Sequence, residues 1–220
     1  MAHIPHLYLP GPWEADCLAL TDEQDHHLRR VLRAGDLAGV SYTDGQGSIG
    51  SGTLAAGGVR RGDESLVPRP SPTLTVAVAP PRSSDRARFV VEKLAELGVD
   101  RLVWLTADFG QAGAPRQRRA ARWAGGALEQ SRGAWLMEVD GPLSLADLPG
   151  PTWMVHPGGG PLPSPIEDVT LAIGPEGGFS TEELIRVDTT VGLGARVLRV
   201  ETAALVAAGL VLHHLGRMNT

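Results

Sequence analysis

The chain has 220 residues, 42% of them hydrophobic, enough for one large or two small domains with packed cores, which excludes a disordered chain. Lys and Arg number 20 against 25 Asp and Glu, a formal charge of −5, so any contact with a polyanion must use local patches. The single cysteine, Cys17, excludes an intrachain disulfide and a cysteine-rich metal site and predicts a reducing compartment.

The opening segment, MAHIPHLYLPGPW, has no basic stretch followed by an apolar one, so no secretory signal is predicted. The longest apolar run, around Ala203–Leu212, falls short of the roughly 18 residues of a membrane span. The expected setting is cytoplasmic, without a membrane. Up to about residue 70 the chain reads as mostly β. HLYLP, LAGVSYTDGQGSIGSGTLAAGGV and ESLVP are short, β-prone and turn-rich, and Asp44-Gly45 is a hairpin signal. One helix interrupts, opened by Thr21-Asp22-Glu23-Gln24 as a capping box. In DHHLRRVLR, Leu28, Val31 and Leu32 are expected to form its apolar face, with Arg29, Arg30 and Arg33 partly off it. A small β-barrel is the plain expectation.

LVPRPSPTL, residues 66–74, then reads as a stiff extended linker and divides the chain near residue 70. Beyond it strand and helix alternate. TLTVAVAP, RLVWLT, AWLMEV, TWMVH, VTLAIG and ARVLRV read as strands. SDRARFVVEKLAELGV, PRQRRAARWAGGALEQS, STEELIRV and TAALVAAGLVLHHLG read as helices. Such alternation predicts a largely parallel sheet covered on both faces. The last helix is apolar almost all round up to Leu212, so burial is expected.

Two strand-to-helix junctions could hold a ligand. In LAIGPEGGFSTEEL a strand ends at Gly174, and Ser180 with Glu183 forms a capping box for the next helix. Glycines at a strand's carboxyl end let a ligand approach bare backbone. The spacing matches neither of the phosphate-binding loops, and Glu176 would repel phosphate, which favours a ligand with hydroxyls, amides or positive charge. A plain turn is the competing reading. In LGARVLRVETAAL, residues 193–205, Glu201 or Thr202 is expected to cap the final helix. Two such loops close in sequence favour a shared cleft.

Arg116, Arg118, Arg119 and Arg122 crowd one helix start, against the macrodipole, as either a phosphate-facing or a solvated face. The pairs His26-His27 and His213-His214 lack the spacing of a helical metal site, and no metal is expected. No nucleophile elbow or catalytic triad is present in the pattern.

AIGPEGGFSTEEL followed by LGARVLRVETAAL resembles the ribosomal RNA small subunit methyltransferase E family, uracil-N3 methyltransferases of the SPOUT superfamily. FVVEKLAELGV, ALEQS, MVHPGG, HHLRRVLRAGD and DGQG agree with it over nearly the whole chain. The resemblance implies an α/β fold: a PUA-like, RNA-binding β-barrel over 1–70, then a SPOUT domain over 71–220 with a deep trefoil knot, which dimerises. It implies S-adenosylmethionine as cofactor, held by His156, Gly174, Glu176, Gly177, Gly178, Leu193, Gly194, Leu198 and Thr202. It implies methyl transfer to N3 of a uridine in 16S rRNA of the small ribosomal subunit. That nitrogen must lose its proton, with Glu201 as base and Arg199, or Arg132 of a partner subunit, stabilising the anion. RNA contacts are expected from Arg29, Arg30 and Arg33, extended by Arg82, Arg86 and Lys93. The sequence departs from the family at TADFGQAG, at Arg132-Gly133 and at Val200. Another rRNA or tRNA target, or a non-catalytic RNA-binding protein with a retained pocket, are the alternatives.

Overall fold

The computed structural model describes residues 4–164, 167–187 and 189–218, so the first three residues of the opening segment lie outside it. Two compact units divide the chain. One takes the residues up to Arg69 together with Leu128–Leu136; the other takes Pro70–Ala127 and the chain from Met137 onward.

In the first unit β1 (His6–Tyr8), β2 (Cys17–Ala19), β3 (Gly39–Thr43), β4 (Ser48–Ala55) and β5 (Gly58–Leu66) form a curled sheet in the order β1-β3-β4-β5-β2. The Asp-Gly signal sits in the β3–β4 turn. There the Asp44 carboxylate accepts from the backbone N–H of Gln46 at 2.7 Å and of Ser48 at 2.9 Å. The core gathers Leu7, Leu28, Val40, Leu54 and Val59 around Tyr42. Tyr42 is fully buried, and its hydroxyl donates to Glu64 at 2.8 Å, which satisfies the one polar atom it brings inside.

Helix α1 (Asp22–His26) starts on the expected capping box, with Thr21 and Gln24 bonded reciprocally. It then widens into a π-helical turn, His27–Val31, where the Leu32 N–H reaches the His27 carbonyl. The wider turn breaks the 3.6-residue period. Only Leu28 of the expected apolar face is buried; Val31 is 59% and Leu32 46% exposed.

The linear cut near residue 70 misses one piece of this unit. Glu129 accepts from the Tyr8 N–H at 2.8 Å and from the Gln24 amide at 3.0 Å. The Gly47 N–H donates to the Ala134 carbonyl, the Leu136 N–H to the Gly45 carbonyl, and the Trp135 indole to the Val67 carbonyl. These bonds hold Ala134–Leu136 here, so the strand expected from Ala134 starts only at Glu138.

In the second unit β6 (Leu74–Val78), β7 (Arg101–Thr106), β8 (Glu138–Ser144), β9 (Thr152–Gly160), β10 (Val169–Ile173) and β11 (Thr189–Val191) make a wholly parallel sheet. The order is β11-β9-β10-β6-β7-β8. Every residue of β6 and β10 is buried, as their apolar runs, each interrupted by one threonine, require at the centre of a covered sheet. A fully buried side chain such as Leu171 contributes about 1.5–3 kcal/mol. The helices are α2 (Ser84–Glu96), α3 (Gln117–Ser131, whose residues from Leu128 onward belong to the first unit), α4 (Thr181–Leu184) and α5 (Val200–His214). β7 and β8 extend the sheet on one side of the β6–β10 pair, β9 and β11 on the other. Such a reversal opens a crevice beyond the carboxyl ends of the strands.

Two expectations are corrected here. ARVLRV is not a strand: Thr189–Val191 takes the sheet edge beside β9, and residues 192–199 run as a loop, with Val197 87% exposed. Helix α5 buries one broad face, but Val206 and Leu210 are 39% and 42% exposed. Among the described residues no helix is long and apolar enough to cross a membrane, and no group of three His, Cys, Asp or Glu could hold a metal.

Candidate functional site

Three segments leaving the carboxyl ends of β9, β10 and β11 enclose a cleft of about 310 Å³ in the second unit. His156 and Pro157 come from the later part of β9, Gly174, Glu176, Gly178 and Phe179 from the loop after β10, and Leu193, Gly194 and Arg196 to Arg199 from the loop into α5, with Val200 and Ala203 from the first turn of that helix. The volume lies at the lower end of the range for small-molecule sites.

Each wall has a local cause. The loop after β10 ends at Ser180, whose hydroxyl accepts from the Glu183 N–H while the Glu183 carboxylate accepts from the Ser180 N–H at 2.8 Å. Glu183 also accepts from the Asp108 N–H at 3.1 Å, and the Ser180 hydroxyl donates to Asp108. The capping box thus ties the loop to the segment after β7. Within the loop the Phe179 ring lies so close to Gly174 that a Cβ there would meet it at 2.9 Å. At the sheet edge the backbones of Gly159 and Val191–Gly192 cross in contact: a Cβ on Gly159 would sit 2.5 Å from the Val191 carbonyl carbon. This crossing brings the β9 end beside the loop that leaves β11.

Seven of the nine residues expected at the cofactor line this cleft: His156, Gly174, Glu176, Gly178, Leu193, Gly194 and Leu198. Gly177 and Thr202 do not. Gly177 faces Phe109, where a Cβ would lie 3.1 Å from that side chain. Thr202 is the third residue of α5, too deep to cap it; the helix starts at Val200, and its N-cap, Arg199, makes no side-chain cap bond. Phe179 and Pro157 line the cleft without having been singled out from sequence. The aromatic inside the glycine-rich turn was the available signal for Phe179.

The charged groups are arranged differently from the sequence expectation. Arg86, on the first turn of α2, donates from Nε and Nη2 to the two carboxylate oxygens of Glu201 at 2.9 and 2.8 Å. Its Nη1 donates to Glu176 at 3.2 Å. Burial pushes the Glu201 carboxyl up, but the Arg86 hydrogen bonds, its own backbone N–H and the charges of Arg86 and Arg199 together hold it below the ordinary carboxylate range. Arg199 is exposed on the cleft wall and forms no ion pair with any described residue. Arg132 lies in the first unit, where it donates to the Ile4 carbonyl at 2.6 Å.

Of the residues expected at RNA, Arg29 is committed internally, donating to Asp25, Asp36 and the Ala55 carbonyl. Arg30 and Arg33 are exposed. Arg82 is bonded to Gln111, and Lys93 to Glu96.

A family model described as an RNA methyltransferase domain matches residues 68–152 and 154–212. Over 187 residues the chain is 33% identical to the ribosomal RNA small subunit methyltransferase E of Mycobacterium bovis, an alignment covering 74% of this chain and 70% of the relative. A solved structure described as a probable rRNA-methyltransferase from Porphyromonas gingivalis matches with a TM-score of 0.85 and 27% identity, over 97% of this chain and 99% of that one. A Legionella pneumophila structure in complex with the bound cofactor SAM matches with a TM-score of 0.84 and 26% identity, over 96% and 98% of the two chains.

Proposed function

Because the chain belongs to the ribosomal RNA small subunit methyltransferase E family, we propose that it methylates N3 of a uridine in 16S rRNA with S-adenosylmethionine as methyl donor. The observation that carries this reading is the cleft beyond β9, β10 and β11. Its walls combine bare glycine backbone and apolar side chains with the Glu176 carboxylate, the His156 imidazole and the guanidinium groups of Arg196 and Arg199, with no phosphate-binding loop. The glycine backbone, apolar walls and Glu176 fit a nucleoside carrying hydroxyls and positive charge, and the two arginines suit a carboxylate on the same ligand. When bound there, S-adenosylmethionine supplies an electrophilic methyl group on a sulfonium. His156, Gly174, Gly178, Leu193, Gly194 and Leu198 would hold it, largely through backbone, with Glu176 opposite its positive charge.

The chain's own residues then divide the remaining work. The N3 proton of uracil must leave before the nitrogen can attack. Glu201 is held ionised by Arg86, which makes it a weak proton acceptor and a firm orienting group. Arg199, exposed on the cleft wall, is the group we assign to stabilise the uracil anion, lowering the N3 pKa so that its proton can pass to solvent. Of the arginines expected at RNA in the first unit, Arg30 and Arg33 are the exposed ones and, as part of an RNA-binding PUA-like barrel, are assigned to RNA backbone. The trefoil knot, the cytoplasmic setting and a homodimer built through the second unit belong to the same reading.

Two measurements test it. Titration calorimetry should show S-adenosylmethionine binding to the purified protein; no binding would favour a non-catalytic RNA-binding module. Mass mapping of rRNA from a deletion strain should show loss of one small-subunit N3-methyluridine. Its persistence would send the search to another rRNA or tRNA position.

A further inference from the structure

Arg86 occupies an unusual place. It stands on the first turn of α2, where a cation opposes the helix macrodipole. Its guanidinium spans two carboxylates from different segments: Glu201 of α5, bound by two N–H groups, and Glu176 of the loop after β10, bound by one. The Glu201 side chain is 12% exposed and that of Glu176 49%, so one arm of the fork is firm and the other faces solvent. Those two segments supply most of the cleft walls, yet Arg86 is not among the residues lining the cleft. Its three bonds leave little of the guanidinium free for an RNA phosphate.

We propose that Arg86 is a positioning residue, which sets the spacing between the glycine-rich loop and the N-terminal turn of α5 and so governs cofactor affinity without touching cofactor. The inference rests on the S-adenosylmethionine reading of this cleft. A planar fork can hold both oxygens of Glu201 and still reach Glu176; an ammonium cannot reproduce that geometry. With the fork removed, Glu201 loses its partner and Glu176 its tether, and the loop is free to take arrangements that no longer bind. The two carboxylates are therefore coupled through Arg86 rather than independent.

The test is a cycle of wild type, Arg86→Met, Arg86→Lys, Glu176→Gln and the double variant Arg86→Met/Glu176→Gln. Calorimetry with S-adenosylmethionine, single-turnover methylation and binding of an rRNA fragment are measured on each. Arg86→Met is expected to weaken cofactor binding about tenfold, a coupling typical of contacting charged residues. KM for the cofactor should rise more than kcat falls, and Arg86→Lys should recover part of the loss. Glu176→Gln should weaken binding in wild type and cost measurably less in the Arg86→Met background, where only its direct contact with the cofactor is left to lose. The acid limb of cofactor binding should move to higher pH in Arg86→Met, as Glu201 is no longer held ionised. RNA affinity without cofactor should be unchanged. If wild type binds cofactor and Arg86→Met binds it equally well, or if the two substitutions add, the inference fails. Loss of RNA affinity with cofactor affinity intact would make Arg86 an RNA contact instead. Wild type that binds no S-adenosylmethionine overturns the reading of the cleft and this inference with it. Should Arg86→Met melt early, Arg86→Lys with Glu176→Gln makes the same cycle: additive losses there also overturn the inference.

Discussion

His6 shows how a single side chain can register pH in the first unit. It is half-buried on β1, with Nδ1 2.9 Å from the Ser41 hydroxyl. Burial lowers its pKa from the usual 6.5; the Arg132 charge adds to this, and the Gly133 carbonyl offsets part of it. Between the folded value and about 6.5 the unfolded chain binds more protons, so this contribution is present above about 6.5 and is lost as pH falls below it. Melting temperature measured from pH 7.5 down to 5.5 should therefore drop more steeply for wild type than for His6→Gln. Equal slopes would show that His6 is not responsible. At this scale sequence reasoning reached the cleft but not its wiring. The residues of GPEGG and of LGARVLRVETAAL were legible because a strand end rich in glycine has a local signature. The Arg86 fork was not, since its partners lie 90 and 115 residues away in the chain and no local pattern records that distance.

At the scale of elements, the sheet was legible from its apolar runs, and the helices from their period and caps. The errors have physical causes. ARVLRV alternates as a strand should, but β-propensity needs a neighbour to pair with, and β11 already holds the edge. HHLRRVLR fits a 3.6-residue period, but the chain adopts a wider turn there. One element-level feature is open to direct test. The crossing of β9 with the chain leaving β11 leaves no room for a side chain at Gly159, because what it would meet is backbone. Gly159→Ala is expected to destabilise by about 1–3 kcal/mol, the usual range for overpacking, and to weaken cofactor binding by displacing His156 and Leu193. A melt and a cofactor titration that both match wild type would show the crossing to be looser than its geometry.

At the scale of the molecule, one apolar surface of the second unit remains uncovered. Phe89 of α2, Val206 and Leu210 of α5, and Met218 are each at least 39% exposed and border one groove. A cluster of this kind usually marks an interface, and the homodimer of the proposed function would cover it. Wild type should then run at twice the monomer mass in light scattering, while Val206→Glu with Leu210→Glu should run as a folded monomer. A monomeric wild type would remove the face from the dimer. The sequence hints at this surface through a last helix apolar almost all round up to Leu212, which predicts burial because one chain alone offers no other reason for it.

The discontinuous make-up of the first unit has a consequence for how the protein is made. A ribosome releases the first 70 residues before Glu129, Ala134 and Trp135 exist. The partners that hold Tyr8, Gln24, Gly45 and Gly47 follow about 60 residues later. Folding of the nascent chain in order from its start would therefore stall at the first unit, and at about 5–20 residues per second the wait lasts several seconds. At about 1 kcal/mol for each missing hydrogen bond, the shortfall is a large part of a small domain's stability. Residues 1–70 made alone should show a weak or absent cooperative melt, and the same fragment joined through a flexible linker to residues 128–136 should recover one. The first unit to be translated would then be among the last parts to be finished, and the interval exposes a half-built sheet that a chaperone could shelter.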